Sequence, residues 1–443
     1  MSWKVVFGIA LLGIYLSSEG FSDQYHYANI IIGDRAMGLG GAYCGVADDA
    51  SGVYYNPAGL AFALNNDISG SANAFYNRRI TYKKTIGESN FVEKSGGTMA
   101  PFLGGLQKLD NIHQGLVSAF GFYTTDSDLK DQDDYIPVTP ELGIRRFHRA
   151  VNFRASTGGI AVAAAKRLTP NFAAGFSIHY LSINELLQEY QDSESLWSAK
   201  KTDPTAPIYV LEVMNSRQYL TATGLAPSLG MQWALSPDFS LGLNVKFPTI
   251  TAEKLDYSIE RTKNYRDGDS NVLTDENIPA AERGKVVRAI ATQQTVKKPL
   301  GKIPTEFRLG AAWFATTRIL WTFDITSFSA TKGDISLYER KSVMNYASGF
   351  EYYVTSSIPI RFGLFTNSDA RPEPVSNKTD QPDHIDYTGM SLFFAWVQPN
   401  SQIALGGIAQ NGTGKSQKLA GSSKIQNVEA VSTTLAFSAT HNF

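Results

Sequence analysis

Val431-Ser-Thr-Thr-Leu-Ala-Phe-Ser-Ala-Thr-His-Asn-Phe443 closes the chain. Counted back by twos, Phe443, His441, Ala439, Phe437, Leu435, Thr433 and Val431 share one face, because side chains alternate across a strand. Asn442, Thr440, Ser438, Ala436, Ser432 and Thr434 share the other. One face is mostly apolar, the other small and polar. A soluble sandwich strand has that pattern, with core on one side and water on the other. So has a bacterial outer-membrane barrel strand, whose apolar face meets lipid and whose polar face lines the lumen. An alternation carried through to a terminal aromatic fits the barrel reading more narrowly.

The amino terminus points the same way. Lys4 precedes the apolar run Val5–Leu16, which is followed by Ser17-Ser-Glu-Gly20. A charged start, a short apolar run and a small-residue end make the order of a secretory signal peptide, expected over 1–20. The run is short for a membrane-spanning helix, the competing reading. The one cysteine, Cys44, lies beyond the cleavage region and rules out an internal disulfide. Hydrophobic residues make up 43% and aromatics 12%, but 38 glycines disperse them, and no later segment reads as a membrane helix. A net charge of -1 gives no electrostatic reason to propose nucleic acid as a partner.

Internal segments repeat the closing alternation. Phe239, Leu241, Leu243, Val245 and Phe247 oppose Ser240, Gly242, Asn244 and Lys246, while Ile319, Trp321, Phe323 and Ile325 oppose Thr322, Asp324 and Thr326. Ile358, Ile360, Phe362 and Leu364 oppose Arg361 and Gly363. This is period-two patterning, not helical. Very short connections fall at Leu168–Pro170, Ser236–Asp238, Thr316–Thr317, Thr355–Ser357 and Gln398–Ser401. Longer polar stretches alternate with them, at 126–150, 184–219, 252–302, 329–343, 366–386 and 411–429. Short turns on one rim and long loops on the other belong to an all-β, antiparallel transmembrane β-barrel, here of about fourteen strands over 66–443.

The preceding segment, 21–65, differs in character: glycine and alanine dominate and strand periodicity fades. Small residues let a backbone fold tightly against other structure, so the segment reads either as a plug in the lumen or as a flexible periplasmic arm. Gly38-Leu-Gly-Gly-Ala-Tyr43, Ala47-Asp-Asp-Ala50 and Asn56-Pro-Ala-Gly-Leu60, in that order and spacing, resemble the N-terminal hatch of the FadL/TodX family of outer-membrane transporters. Ile303–Trp313 and Pro359–Phe365 resemble later parts of the same family. The resemblance implies a fourteen-stranded barrel plugged by a hatch, with Gly38, Gly40, Gly41, Asp48, Asp49, Asn56, Pro57 and Ala58 in the hatch motifs. It also implies passive diffusion of long-chain fatty acids or other hydrophobic compounds, leaving through an opening in the wall. Similar hatches occur in barrels that assist protein secretion.

Two loops carry helical signals. Near 184–198, Leu186, Leu187, Tyr190 and Trp197 share a face at helical spacing behind the N-cap residue Asn184; near 277–292, Ile278, Val286, Val287 and Ile290 do so behind Asn277 and Pro279. These stripes either pack the loops together or form an outer groove that receives an apolar ligand through Leu186, Leu187, Tyr190, Trp197, Val287 and Ile290. Inward charges form a second set: Lys246, Arg308, Asp324, Glu351 and Arg361. Tight turns are expected to set Arg308 opposite Asp324 and Glu351 opposite Arg361, as cross-strand pairs. The three cations are alternatively candidates to hold an anionic headgroup.

Enzyme signals fail on inspection. Gly412-Thr-Gly-Lys-Ser416 has Ala409 where a phosphate loop needs its first glycine, and neither a Gly-x-Ser-x-Gly elbow nor a His-Glu-x-x-His pair occurs. No catalytic residue, metal or cofactor is expected. The expected partners are hydrophobic small molecules, outer-membrane lipid and the barrel-assembly machinery, for a monomer. A secretion or surface-assembly barrel is the main competing class, with a less selective porin behind it. Deleting Phe443 is expected to impair assembly, because the apolar face of the closing strand must seal against lipid; undiminished heat-modifiable protein in the membrane fraction would refute this.

Overall fold

The computed structural model describes residues 25–86, 88–136, 144–196, 208–267, 269, 271–274, 290–332, 339–379, 381–418 and 423–443. The expected signal peptide lies outside them. The sheet is built from β1 (Asp67–Ile86), β2 (Ser89–Lys108), β3 (Leu116–Ile136), β4 (Ile144–Thr169), β5 (Phe172–Leu196), β6 (Tyr209–Ser236), β7 (Phe239–Lys246) and β8 (Thr249–Arg266). It continues through β9 (Ile290–Lys297), β10 (Glu306–Thr316), β11 (Ile319–Phe328), β12 (Val343–Thr355), β13 (Ile358–Asn367), β14 (His384–Gln398), β15 (Ser401–Ser416) and β16 (Gln426–Asn442).

All pairings are antiparallel, and the ring closes where β1 meets β16, from Asp67 opposite Asn442 to Tyr82 opposite Val428. β7 and β8 both run along β6 and are one strand broken in two; β9 and β10 are another. The result is a closed fourteen-stranded antiparallel barrel, the number expected from turns and loops. Closure leaves no whole strand edge open to lipid, which would not hydrate it.

Alternation sorts the two faces. On β10, Glu306, Arg308 and Ala312 are buried in the lumen while Phe307, Leu309 and Trp313 lie on the exposed outer face. Trp321, Phe323, Phe350, Phe362, Leu392, Phe394, Leu405, Leu435 and Phe437 continue that apolar outer belt. A tilted strand crosses a membrane in about 9–11 residues, and β11 and β13 have 10 each. β4, β5 and β6 have 26, 25 and 28. Much of what the sequence suggests as loops at 126–150 and 184–219 is therefore strand, paired well beyond the belt.

The helix expected near 184–198 is absent: Asn184–Leu196 completes β5, bonded to β4 on one side and β6 on the other. Two full ladders satisfy more backbone than one isolated amphipathic helix, and the alternation of buried Ile183, Glu185 and Leu187 serves them. The helix expected near 277–292 falls largely outside the described residues; Ile290 opens β9 opposite Arg261.

Residues from Tyr25 to Ala63 lie within the ring, in a short helix (Asp34–Gly38), a helical turn (Gly52–Tyr55) and a 3₁₀ stretch (Pro57–Phe62). Ile32, Met37, Leu39, Tyr43, Val53 and Leu60 pack with Phe102, Ala161, Ala312 and Phe393 of the wall into the main core. The wall offers glycine where the segment's backbone touches it. A Cβ on Gly363 would come 2.2 Å from the Gly40 nitrogen, and one on Gly242 would strike the Cys44 carbonyl. Gly175, Gly230, Gly310 and Gly349 make similar approaches to Pro57, Asn56, Cys44 and Leu39. Gly40 and Gly41 adopt φ of 65° and 84°, the left-handed region that glycine tolerates.

The wall glycines yield a direct test. Gly363→Ala should lower the thermal midpoint of the folded barrel by overpacking, at a cost of about 1–3 kcal/mol. Gly70→Ala is the control, since its Cβ would meet nothing nearer than 3.6 Å. Equal midpoints for the two variants would show that the wall and segment are not closely seated.

Candidate functional site: a lumenal chamber beside two breaks in the wall

The sequence-predicted residues fall into three groups. The first fastens the N-terminal segment to the wall. Arg35 reaches Glu351 at 2.7 Å and Asp48 at 3.2 Å; Arg361 reaches Glu351 at 2.7 Å and Asp34 at 3.3 Å. Glu351 does stand opposite Arg361 in the register. Gly38 lies against the Arg361 side chain, where a Cβ would come within 2.7 Å. Asp49 accepts from the Tyr43 hydroxyl at 2.8 Å and from the Ser51 amide at 2.8 Å. The Asn56 side-chain amide donates to the carbonyls of Cys44 (3.0 Å) and Met231 (3.1 Å), and its oxygen accepts from the Ala58 amide at 3.1 Å, with Pro57 opening the 3₁₀ stretch.

The expected Arg308–Asp324 pair does not form. The chain reverses at Thr317–Arg318, one residue later than expected, so Arg308 stands opposite Thr326 and Gly310 opposite Asp324. Arg308 instead binds Glu306 of its own strand at 3.0 Å. Asp324 accepts the backbone amides of Tyr43 (3.0 Å) and Cys44 (2.9 Å). It is an anchor for the segment, a role that alternation alone does not signal.

Among the described residues of the expected outer groove, Leu186 and Tyr190 share one strand face and Leu187 takes the other, so they form no helical stripe. Leu186 and Leu187 are neighbours on a strand and so point to opposite faces. Leu187 is buried with Val151, Phe153 and Ala155, while Leu186 is half-buried on the other face and Tyr190 is exposed. Trp197 and Val287 lie outside the described residues, and Ile290 is placed only by its pairing in β9.

A different site emerges above the N-terminal segment. A chamber of about 140 Å³ is lined by Tyr27, Tyr54, Tyr123, Phe328, Leu181, Ile183, Pro248, Ile303 and Pro304, with His26, Thr125, Asp126, Thr157, Gly158, Lys246, Glu306 and Arg340 supplying its polar contacts. Tyr27 stacks on Phe328 with centroids 3.9 Å apart, held by Asn367 accepting the Tyr27 amide at 3.0 Å. Burial pushes the Tyr54 phenol well above its ordinary range, so it remains neutral. Among the predicted cations only Lys246 reaches this space; it binds Glu306 at 3.3 Å and sits 4.2 Å above the Tyr54 ring. Lys246 is paired with Glu306, so this cation of the otherwise mostly apolar chamber is compensated. Among the described residues no group of three or more His, Cys, Asp or Glu is arranged to hold a metal ion.

The wall is broken on both sides of this chamber. Between Lys246 opposite Glu306 and Lys254 opposite Lys297, the 247–253 and 298–305 stretches do not pair with each other. Prolines 248, 299 and 304 lack the amide a ladder needs, and Lys298 and Gly301 take φ of 64° and 68°. Leu300 folds inward to pack with Tyr25, Ile183, Leu220 and Leu255. The second break follows Phe102 opposite Tyr123: above this pair β3 bulges at Thr124–Asp126 and stays with β4, while β2 stays with β1. A groove of about 430 Å³ opens there, lined by Ala100, Leu103, Phe122, Tyr123, Thr124, Gly159, Ile160, Tyr180 and Ser182. Leu103, Phe122, Ile160 and Tyr180 belong to the outer apolar belt, so the groove faces lipid.

A closed barrel with an apolar belt and a chain-filled lumen defines an outer-membrane β-barrel. No family model matches the chain, and no curated protein does. Solved structures do, and they show that the chain has the FadL/TodX fold. A Pseudomonas aeruginosa FadL homologue is 14% identical, with 96% of this chain and 100% of that chain covered at a TM-score of 0.59. The Pseudomonas putida toluene transporter TodX is 14% identical, with 97% and 99% covered, also at 0.59. The Ralstonia pickettii toluene transporter TbuX is 10% identical, with 94% and 99% covered at 0.52.

Asn56 tests the seat of the segment. Asn56→Ala leaves buried partners unpaired, at about 1–3 kcal/mol for each. We expect protease cleavage within 25–65 and entry of small hydrophilic solutes, in a barrel that still resists heat. Unchanged permeability and unchanged protection would show that the segment does not depend on this side chain.

Proposed function

We propose that this protein carries hydrophobic small molecules passively across the outer membrane, through the chamber and out by the lipid-facing groove at the β2–β3 break. The supporting observation is the position of the chamber. It abuts, on the inner side of β3 and β4, the stretch whose outer side opens to lipid, with Tyr123–Thr125 and Gly158–Gly159 contributing to the two spaces. An apolar molecule taking this path never crosses open water, which is the step that costs it most. The segment 25–63 acts as the hatch in this reading, sealing the lumen against hydrophilic solutes. That argues against a general porin, and the narrow chamber argues against passage of a protein chain.

The size of the chamber bears on the ligand. A cavity of about 150 Å³ holds a single benzene ring, so the space of about 140 Å³ suits one aromatic ring or a short stretch of alkyl chain. A long-chain fatty acid would have to thread through it, its carboxylate competing with Glu306 for Lys246. The charge balance therefore favours uncharged compounds such as monoaromatic hydrocarbons over long-chain fatty acids, and the neighbours described as toluene transporters agree with that choice.

Uptake by a deletion strain carrying the wild-type gene or a variant separates these readings. Complementation with wild type should restore entry of toluene, and of oleate to a smaller extent. Ile303→Asp puts a charge on an apolar chamber wall; desolvating it costs at least about 1.4 kcal/mol, so toluene entry should fall about tenfold or more. Full activity of a folded Ile303→Asp barrel would remove the chamber from the path, and lost protein export with normal toluene entry in the deletion strain would favour the secretion class.

A further inference from the structure

Tyr123 is the one residue that lines both the inner chamber and the lipid-side groove. Its ring is buried at 5% exposure, and its hydroxyl stands 2.9 Å from His179 Nδ1. His179 Nε2 stands 2.9 Å from the Ser177 hydroxyl, and both residues are fully buried on β5. A neutral imidazole has one donor and one acceptor nitrogen, so a hydroxyl at each end completes the chain whichever tautomer is present. Burying these polar groups is costly unless all are paired. Phenylalanine at 123 would fill the same space without any of them, so packing alone does not account for the arrangement.

The surroundings specify what the ring covers. Tyr123 makes the last pair between β3 and β2, so above it no β2 neighbour backs the wall. On its other side stand Gly158 and Gly159, two consecutive residues of β4 without side chains. A Cβ on Gly159 would come 2.8 Å from the Tyr123 hydroxyl and 3.0 Å from Cζ, so the ring lies directly across it. The wall here is backbone alone, closed from inside by one aromatic ring. Tyr54 of the lumenal segment stands edge-on to that ring, with centroids 5.1 Å apart.

We propose that Tyr123 is the door between the chamber and the lipid-side groove, latched by His179 and Ser177, and that it sets the girth of the molecules that leave sideways. The proposal rests on the lateral-exit reading given above and adds the residues that govern it. Swinging the ring about its χ1 bond breaks one hydrogen bond and uncovers the edge of β3 that has no β2 partner, while the β3–β4 ladder stays intact. A slender or flat molecule passes with a small swing; a bulky one needs the ring fully displaced. The latch therefore acts on the ratio of bulky to slender transport more than on transport as such.

The test uses the full-length barrel in outer-membrane vesicles with a lipopolysaccharide leaflet, which slows unaided entry of apolar solutes, with toluene and 1,3,5-triisopropylbenzene as slender and bulky probes. Tyr123→Phe keeps the ring and removes the latch, His179→Leu removes the latch from the other side, and Tyr123→Ala removes the door. We expect the triisopropylbenzene-to-toluene rate ratio to rise about three- to tenfold in the two latch variants, the worth of one net hydrogen bond. It should rise further in Tyr123→Ala, with heat-modifiability unchanged in Tyr123→Phe. A wild-type barrel that transports, with an unchanged ratio in folded Tyr123→Phe and His179→Leu, would overturn the door and leave the transport reading standing. A wild-type barrel no faster than vesicles without it for either probe would overturn the transport reading, and the door with it.

Discussion

A lumen filled by chain must satisfy that chain's peptide groups from its own wall, and this constraint organises the rest of the molecule. The N-terminal segment brings helix ends, turns and left-handed glycines into a space with little room for water, where each unpaired amide is costly. The wall answers with a carboxylate, and the segment adds an amide of its own, at fixed places. Asp324 takes the Tyr43 and Cys44 amides, and Asn56 ties the Cys44 carbonyl to β6. Arg361 and Arg35 close around Glu351 so that the buried charges compensate one another. Glycines on six strands let the two backbones come close enough for these bonds to form. A side chain at Gly242 or Gly363 would hold the segment off its anchors. Hydrogen bonding and steric access are thus one requirement.

The same economy explains where the wall is allowed to fail. A missing ladder in lipid is expensive unless the freed groups are buried in protein. The β7–β8 break meets that condition beside the chamber, and the β2–β3 break is bridged by a side chain farther along its strands. At the β7–β8 break the Phe247 amide reaches the Pro227 carbonyl at 2.9 Å, and the Leu300 amide reaches Glu253 at 2.7 Å, so the interrupted strands keep partners. At the β2–β3 break Gln132 donates to the Val92 carbonyl and accepts from the Lys94 amide, bridging the strands where the ladder has ended. Both interruptions fall beside the same cavity.

Much of this was legible in the sequence, and the limits have physical causes. Closing strand, alternation and short turns survive in the sequence because every barrel strand must present one face to lipid, whatever its neighbours do. Glu351 and Arg361 were readable as partners because one tight turn fixes their register. One residue's difference in where the chain reverses, at Thr317–Arg318, was enough to move Arg308 off Asp324 by two places. The helical spacing of Leu186, Leu187 and Tyr190 is a local signal, and two neighbouring strands overrode it. The prolines at 248, 299 and 304 carry no local sign of a break, and only the partner strands give them that meaning. The chamber was not legible: Tyr27, Tyr54, Tyr123, Ile303 and Phe328 come from five separate elements and share no motif.

On the proposed path, the long strands of one side bear on how the chamber is supplied. β4, β5 and β6 rise past the apolar belt while β11 and β13 stop near it. Beyond the belt the inward positions on this tall side are charged and paired, with Glu93 binding Lys130 at 2.7 Å and Arg149 binding Glu189 at 2.6 Å. An apolar molecule gains nothing from such a surface, whereas it gains from the Tyr25, Ile183, Leu220, Leu255 and Leu300 cluster directly above the chamber. Polarity therefore falls along the lumen towards Tyr27 and Tyr54 and stays low into the groove bounded by Leu103, Phe122 and Ile160. A gradient of solvation of that kind supplies a direction to diffusion without any coupled energy, because each step towards the lipid removes more apolar surface from water.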